Sequence, residues 1–68
     1  MNKIIRQFAN KIRQIRLAQS LSQGDVAEKL GVHRTYISGL ERGTQNPSLL
    51  TLHKIAKALK VKVGELIK

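Results

Sequence analysis

Sixty-eight residues leave room for one domain with one small core, and chains this short are marginally stable alone, so help from a partner subunit is expected. The absence of cysteine excludes disulfides and thiolate zinc sites and suits a reducing cytoplasm. Thirteen Lys and Arg face four Asp and Glu, for a formal net charge of +9. The pI near 10.8 lies above the value of about 9 that flags nucleic-acid binders, although charge alone also admits an anionic membrane or an acidic protein.

The spacing predicts five helices over residues 1–68. Residues 3–18 place Ile4 or Ile5, Phe8, Ile12 and Ile15 three and four apart, on one helical face. Ser20 and Leu21 interrupt. Ser22 followed by Asp25 is an approximate capping box that opens a second helix with Val26, Ala27 and Leu30 inward, stopped by Gly31. A third helix runs from about Arg34 to Arg42, with Ile37 and Leu40 inward and Gly43 as its stop. After a polar loop, the fourth helix has two possible starts: Asn46 as cap with Pro47 in the first turn, or Ser48 as cap. Its inward stripe is Leu49, Leu52, Ile55, Ala56 and Leu59. A short last helix covers about Val63 to Ile67. No apolar run approaches the roughly 18 residues of a membrane span, and no repeat, linker or separate effector domain is evident.

The informative unit is the helix pair over residues 22–42, joined by the tight turn Gly31-Val32-His33. Gly31 suits a left-handed conformation, and Val32 is expected to bury under the turn. The second helix of such a pair keeps one face in the core and one face free, which is helix-turn-helix geometry. Arg34, Thr35, Tyr36 and Ser38 fall on or near that free face and are the candidate base contacts. Arg34 can fork onto guanine, Thr35 can give a hydrogen bond and set its methyl on thymine, and Tyr36 can reach a phosphate, pack, or lie along a sugar edge. Gly39 has room to let the helix lie closer to DNA. Gln23, at the first turn of its helix, can donate to a phosphate where the helix dipole favours the same anion. Arg42, Thr44, Gln45 and Asn46 can donate to phosphates from the loop. Ser48 offers the same or a plain cap.

The string LSQGDVAEKLGVHRTYISGLERGTQNPSLLTLHKIAKAL resembles the phage-repressor/Cro-like (XRE-type) helix-turn-helix family over about residues 12–67. The Ser-Gln opening, Ala27, Gly31, Ile37, Glu41-Arg42-Gly43 and Asn46-Pro47 carry the likeness. Within the family, HRTYIS and the short chain resemble the controller proteins of restriction–modification systems, while small phage repressors and antitoxin-type regulators share the pattern. The resemblance implies an all-α, lambda-repressor-like five-helix bundle, a dimeric transcription regulator binding double-stranded DNA, and a phosphate-clamp role for Gln23. It also implies an ion pair between Arg16 and Glu41 that fixes orientation more than it stabilises.

Two positions depart from the family pattern. His33 and Lys62 stand where caps are expected, and neither is a good cap; His33 can donate to phosphate when protonated. Controller-like chains often carry a basic residue where Gln45 stands, which weakens the case for base contact from that loop. The apolar run Val61, Val63, Leu66 and Ile67, with Leu50 beside it, exceeds what one short helix buries. That excess points to a two-fold homodimer interface through Leu50, Val63, Leu66 and Ile67.

The rival readings are weaker. The basic amphipathic start of the chain would suit a membrane surface, but Phe8, Ile12 and Ile15 are needed by the core. A protein-interaction module that keeps the fold without DNA binding is the main alternative; Gln23, Arg34, Thr35 and the charge argue against it. His33 and His53 lack the company of a metal site, and the serines lack a base, so neither an enzyme nor a cofactor nor a small-molecule effector is expected.

Overall fold

A computed structural model describes residues 3–67 and contains, among them, five helices and no strand: α1 (Lys3–Ala18), α2 (Gln23–Leu30), α3 (Arg34–Arg42), α4 (Leu49–Leu59) and α5 (Val63–Leu66). The apolar residues spaced three and four apart in α1 turn Phe8 and Ile12 inward, while Ile4 remains 65% exposed and Ile5 is half-buried. Ile37 and Leu40 of α3, Ile55 and Leu59 of α4 and Leu66 of α5 complete the centre, with Val26 and Ala27 of α2. α2 packs against both α3 and α4, and α1 holds α3 and α5.

Helix starts and stops follow local chemistry. At α2 the Ser22 hydroxyl accepts from the Asp25 N–H at 2.9 Å and the Asp25 carboxylate accepts from the Ser22 N–H at 2.8 Å. These bonds hold the Asp25 carboxyl below its ordinary pKa, with a smaller contribution from Lys29. Of the two starts open to α4, Ser48 takes the cap, accepting from the Thr51 N–H at 3.2 Å. At α5 the Glu65 carboxylate accepts from the Lys62 N–H at 2.8 Å.

The helices α1 to α4 all end on a left-handed residue, and a backbone N–H reaches back to close the last turn. Gly31 (φ 70°) and Gly43 (φ 77°) do so without strain. Ser20 (φ 57°) and Lys60 (φ 58°) do so with a side chain, at a cost of about 1 kcal/mol each. The Leu21 N–H to Arg16 carbonyl bond (3.0 Å) and the Val61 N–H to Ala56 carbonyl bond (2.9 Å) hold them there. The Gln19 amide also donates to the Leu59 carbonyl at 2.6 Å, tying the end of α1 to the end of α4.

Four expectations need correction. Leu49 is 67% exposed and so leaves the inward stripe of α4, which begins at Leu52. Val32 is 39% exposed, because the turn is closed by its backbone N–H on the Ala27 carbonyl and not by its side chain. Leu66 is fully buried at 0% exposure, so the protomer's own core uses it and it has no surface for a partner. Ile67 lies just past the end of α5, 50% exposed.

Candidate nucleic-acid interface

The orientation of α3 is set from behind by one polar link. The Arg16 guanidinium donates to both Glu41 carboxylate oxygens, at 2.7 and 2.9 Å, and to the Leu21 carbonyl at 2.8 Å. Both side chains are largely withdrawn from water, 9% and 5% exposed. The Gln23 amide donates to the same Glu41 carboxylate at 3.2 Å. One N–H of Gln23 is therefore fixed inward on Glu41. Burial pushes the Glu41 carboxyl up, but the bonds from Arg16 and Gln23 outweigh it and hold the carboxyl below its ordinary value. The Arg16 guanidinium is correspondingly raised by the bond to Glu41.

With its back fixed, α3 presents its N-terminal edge. His33, Arg34 and Thr35 are exposed, and Tyr36 is half-buried with its ring against the core. His33 makes no side-chain cap bond. The Tyr36 N–H takes the His33 carbonyl at 3.0 Å, and the N–H groups of the first turn take no acceptor from the His33 side chain. Val32, His33, Thr35, Tyr36 and Gln45 line a shallow cleft on this face. Ser38 is half-buried and accepts from the Arg42 guanidinium at 2.6 Å one turn further on. These two predicted contacts are already partnered with each other.

The loop after α3 is docked on the helix. The Thr44 N–H and hydroxyl both donate to the Gly39 carbonyl, at 2.9 and 3.1 Å. Gly39 is therefore buried, not an opening toward DNA. A Cβ there would stand 2.9 Å from Gln45 Cγ and 3.2 Å from Thr44 Oγ1. The missing side chain is what lets Gln45 lie back along α3 and join the cleft, a coupling that spacing alone does not reveal. Gly39→Ala is expected to keep stability within about 1 kcal/mol, since helix propensity offsets the crowding. It should displace Gln45 and weaken DNA binding, which melting and a binding isotherm on one preparation would measure. Asn46 is exposed beside it, and the Ser48 hydroxyl is occupied by its cap.

The apolar surface lies elsewhere. Ile4, Ile5, Phe8, Leu52 and Ile67, with Asn46 and Pro47 of the α3–α4 loop, line a small groove where α1, that loop, α4 and the end of α5 meet. Leu49 and Leu50, the latter 65% exposed, stand at the start of α4. Val63 is half-buried against the core. Among the described residues no helix is long and apolar enough to cross a membrane.

Known proteins share this fold. The chain is 49% identical to control protein C.BamHI of Bacillus amyloliquefaciens over 97% of its own length and 83% of that protein. It superposes on the restriction–modification controller protein C.AhdI from Aeromonas hydrophila with a TM-score of 0.87 at 39% identity, covering 91% of this chain and 94% of that one. It also matches C.Esp1396I, a restriction–modification controller solved as a tetramer with its natural 35 base-pair operator, with a TM-score of 0.86 at 32% identity over 100% of both chains. Residues 12–66 match the helix-turn-helix family model. With that match and these relatives, the chain belongs to the helix-turn-helix family of transcriptional regulators.

Proposed function

We propose that the protein is a sequence-specific double-stranded DNA-binding transcriptional regulator, non-enzymatic and cytoplasmic. It acts as a homodimer on a near-palindromic operator, as a controller of a restriction–modification system. The observation that carries this reading is the exposed edge of α3, oriented from behind by the Arg16–Glu41–Gln23 link. Relatives named as controllers, one of them on its operator, support it. In this reading Arg34 and Thr35 read base edges, with Tyr36 and Ser38 beside them. Gln23, His33, Arg42, Gln45, Asn46 and the start of α4 at Ser48 hold phosphates, whereas Thr44, both of whose donors are spent on the Gly39 carbonyl, does not.

Selection of bound sites from random DNA tests binding, symmetry and base preference together; recovery of no shared sequence would refute the reading. Arg34→Ala should then cost about 1 to 3 kcal/mol on the selected site and relax preference at one base pair per half-site. Gln23→Ala should weaken all sequences alike, and equal loss on operator and random DNA for both variants would show that Arg34 does not read bases. If each subunit meets about three to five phosphates, the log–log dependence of affinity on salt should have a slope of roughly −5 to −9 for the dimer. A slope near zero, measured by titration at several salt concentrations, would exclude phosphate anchoring.

A further inference from the structure

Only two of the thirteen Lys and Arg, Arg34 and Arg42, belong to α3. A second concentration of charge lies on the seam of α2 and α4. Lys29, Lys54, Lys57 and Lys60 line one open groove there, over Leu30 and Ala58. All four lysines are exposed. The groove shares no residue with the cleft on α3. Among the described residues the one ion pair is Arg16–Glu41, so none of these lysines is neutralised by a bridge. Lys29 does act on Asp25 of its own helix, and Lys57 stands in the last turn of α4, where the helix carbonyls favour a cation.

We propose that this α2–α4 lysine groove binds the sugar–phosphate backbone of a second DNA segment, without reading its sequence, while α3 holds the operator. The α3 part of this statement rests on the function proposed above. Three observations favour a nucleic-acid backbone. Lysine is a point charge without the planar fork that selects a base or a bidentate partner, so the groove senses charge and not pattern. Lys54 and Lys57 are one helical step of three residues apart, about 4.5 Å of rise, and Lys60 follows at the left-handed end of α4. The Lys54–Lys57 spacing is comparable to one to two phosphate steps of one strand, about 3.4 Å each along the axis. Finally, the side chains lining the groove carry donors but no acceptor. A phosphate backbone asks for donors only, whereas an acidic polypeptide also brings backbone N–H groups that would find no partner there.

The test is a bridging assay. Operator duplex is fixed to beads, protein is added, and capture of a labelled random-sequence duplex from solution is measured at low salt. Wild type should capture it. Lys54→Gln/Lys57→Gln should keep operator occupancy within about twofold and lose capture by about tenfold. Lys3→Gln/Lys62→Gln, which removes the same charge elsewhere, should keep capture. Circular dichroism of each variant verifies folding, and all four positions are exposed. Wild type that occupies the operator without capturing duplex would overturn the proposal. So would unchanged capture by Lys54→Gln/Lys57→Gln, or equal loss in the control variant. Displacement of the labelled duplex by polyglutamate at equal or lower charge would assign the groove to an acidic polypeptide instead. Protein absent from the operator beads would count against the α3 reading. The groove would then be judged by salt-dependent retention of random duplex, where equal retention by wild type and Lys54→Gln/Lys57→Gln would reject it.

Discussion

Glu41→Ala is expected to remove about 3 to 5 kcal/mol of folding stability, because it strands the Arg16 guanidinium in a site nearly closed to water. A chain of this size holds only about 3 to 10 kcal/mol in total, so the variant should be largely unfolded at moderate temperature. Urea titration followed by circular dichroism measures it; a loss below about 1 kcal/mol would mean that the pair is effectively solvated. Arg16→Met/Glu41→Leu should recover part of the loss, since no charge is then buried without a partner. Recovery should be incomplete, because the Leu21 carbonyl loses the Arg16 donor at 2.8 Å. The same pair sets an acid limit. The Glu41 carboxyl is held below its ordinary value of 4.5. Its contribution is therefore present above that value and is lost as pH falls through the lower folded one. Melting temperature should drop as pH is taken below about 4.5. Glu41→Ala should show a shallower drop, with Asp25, likewise lowered by its bonds to Ser22, accounting for what remains.

What could be read from the sequence was whatever depends on local chemistry or on a strong period. The bounds of α1 and α3, the Ser22–Asp25 box and the glycine stops at Gly31 and Gly43 are written in residue type and spacing, and they appear where expected. The left-handed endings at Ser20 and Lys60 carry no such mark: neither residue favours that conformation, and the backbone bonds from Leu21 to Arg16 and from Val61 to Ala56 hold it. Leu49 shows the limit of periodicity, since a first-turn residue on the correct stripe can still lie beyond the edge of a small core. At the candidate site the edge of α3 was legible because its residues are exposed donors in a row. The burial of Gly39 under Thr44 and Gln45 was not, because it depends on where a loop returns. The same holds for Gln23 and Glu41, eighteen residues apart in sequence and joined only by the crossing of α2 and α3.

Leu50→Asp/Ile67→Asp is expected to give a folded monomer whose affinity for a full operator falls by about 10²- to 10⁴-fold, the advantage conferred by linking two half-site contacts. Folding should survive because Leu50 is 65% exposed and Ile67, at the edge of the apolar groove, is 50% exposed, so neither change opens a cavity in the core. Leu66→Asp makes the contrast: with Leu66 fully buried it should unfold the chain, not split a dimer. Binding to an isolated half-site should be nearly unchanged in Leu50→Asp/Ile67→Asp, because α3 and its Arg16–Glu41 support are untouched. Sedimentation decides the assembly: wild type that stays monomeric at high micromolar concentration, free and on DNA, would end the dimer reading. Operator geometry supplies an independent measurement. A two-fold interface sets two α3 helices about 34 Å apart on one face of the duplex. Inserting about half a helical turn between the half-sites should therefore cost wild type nearly as much as the double substitution, while a full turn costs it less. Leu50→Asp/Ile67→Asp should be indifferent to either insertion, since independent monomers have no spacing to satisfy.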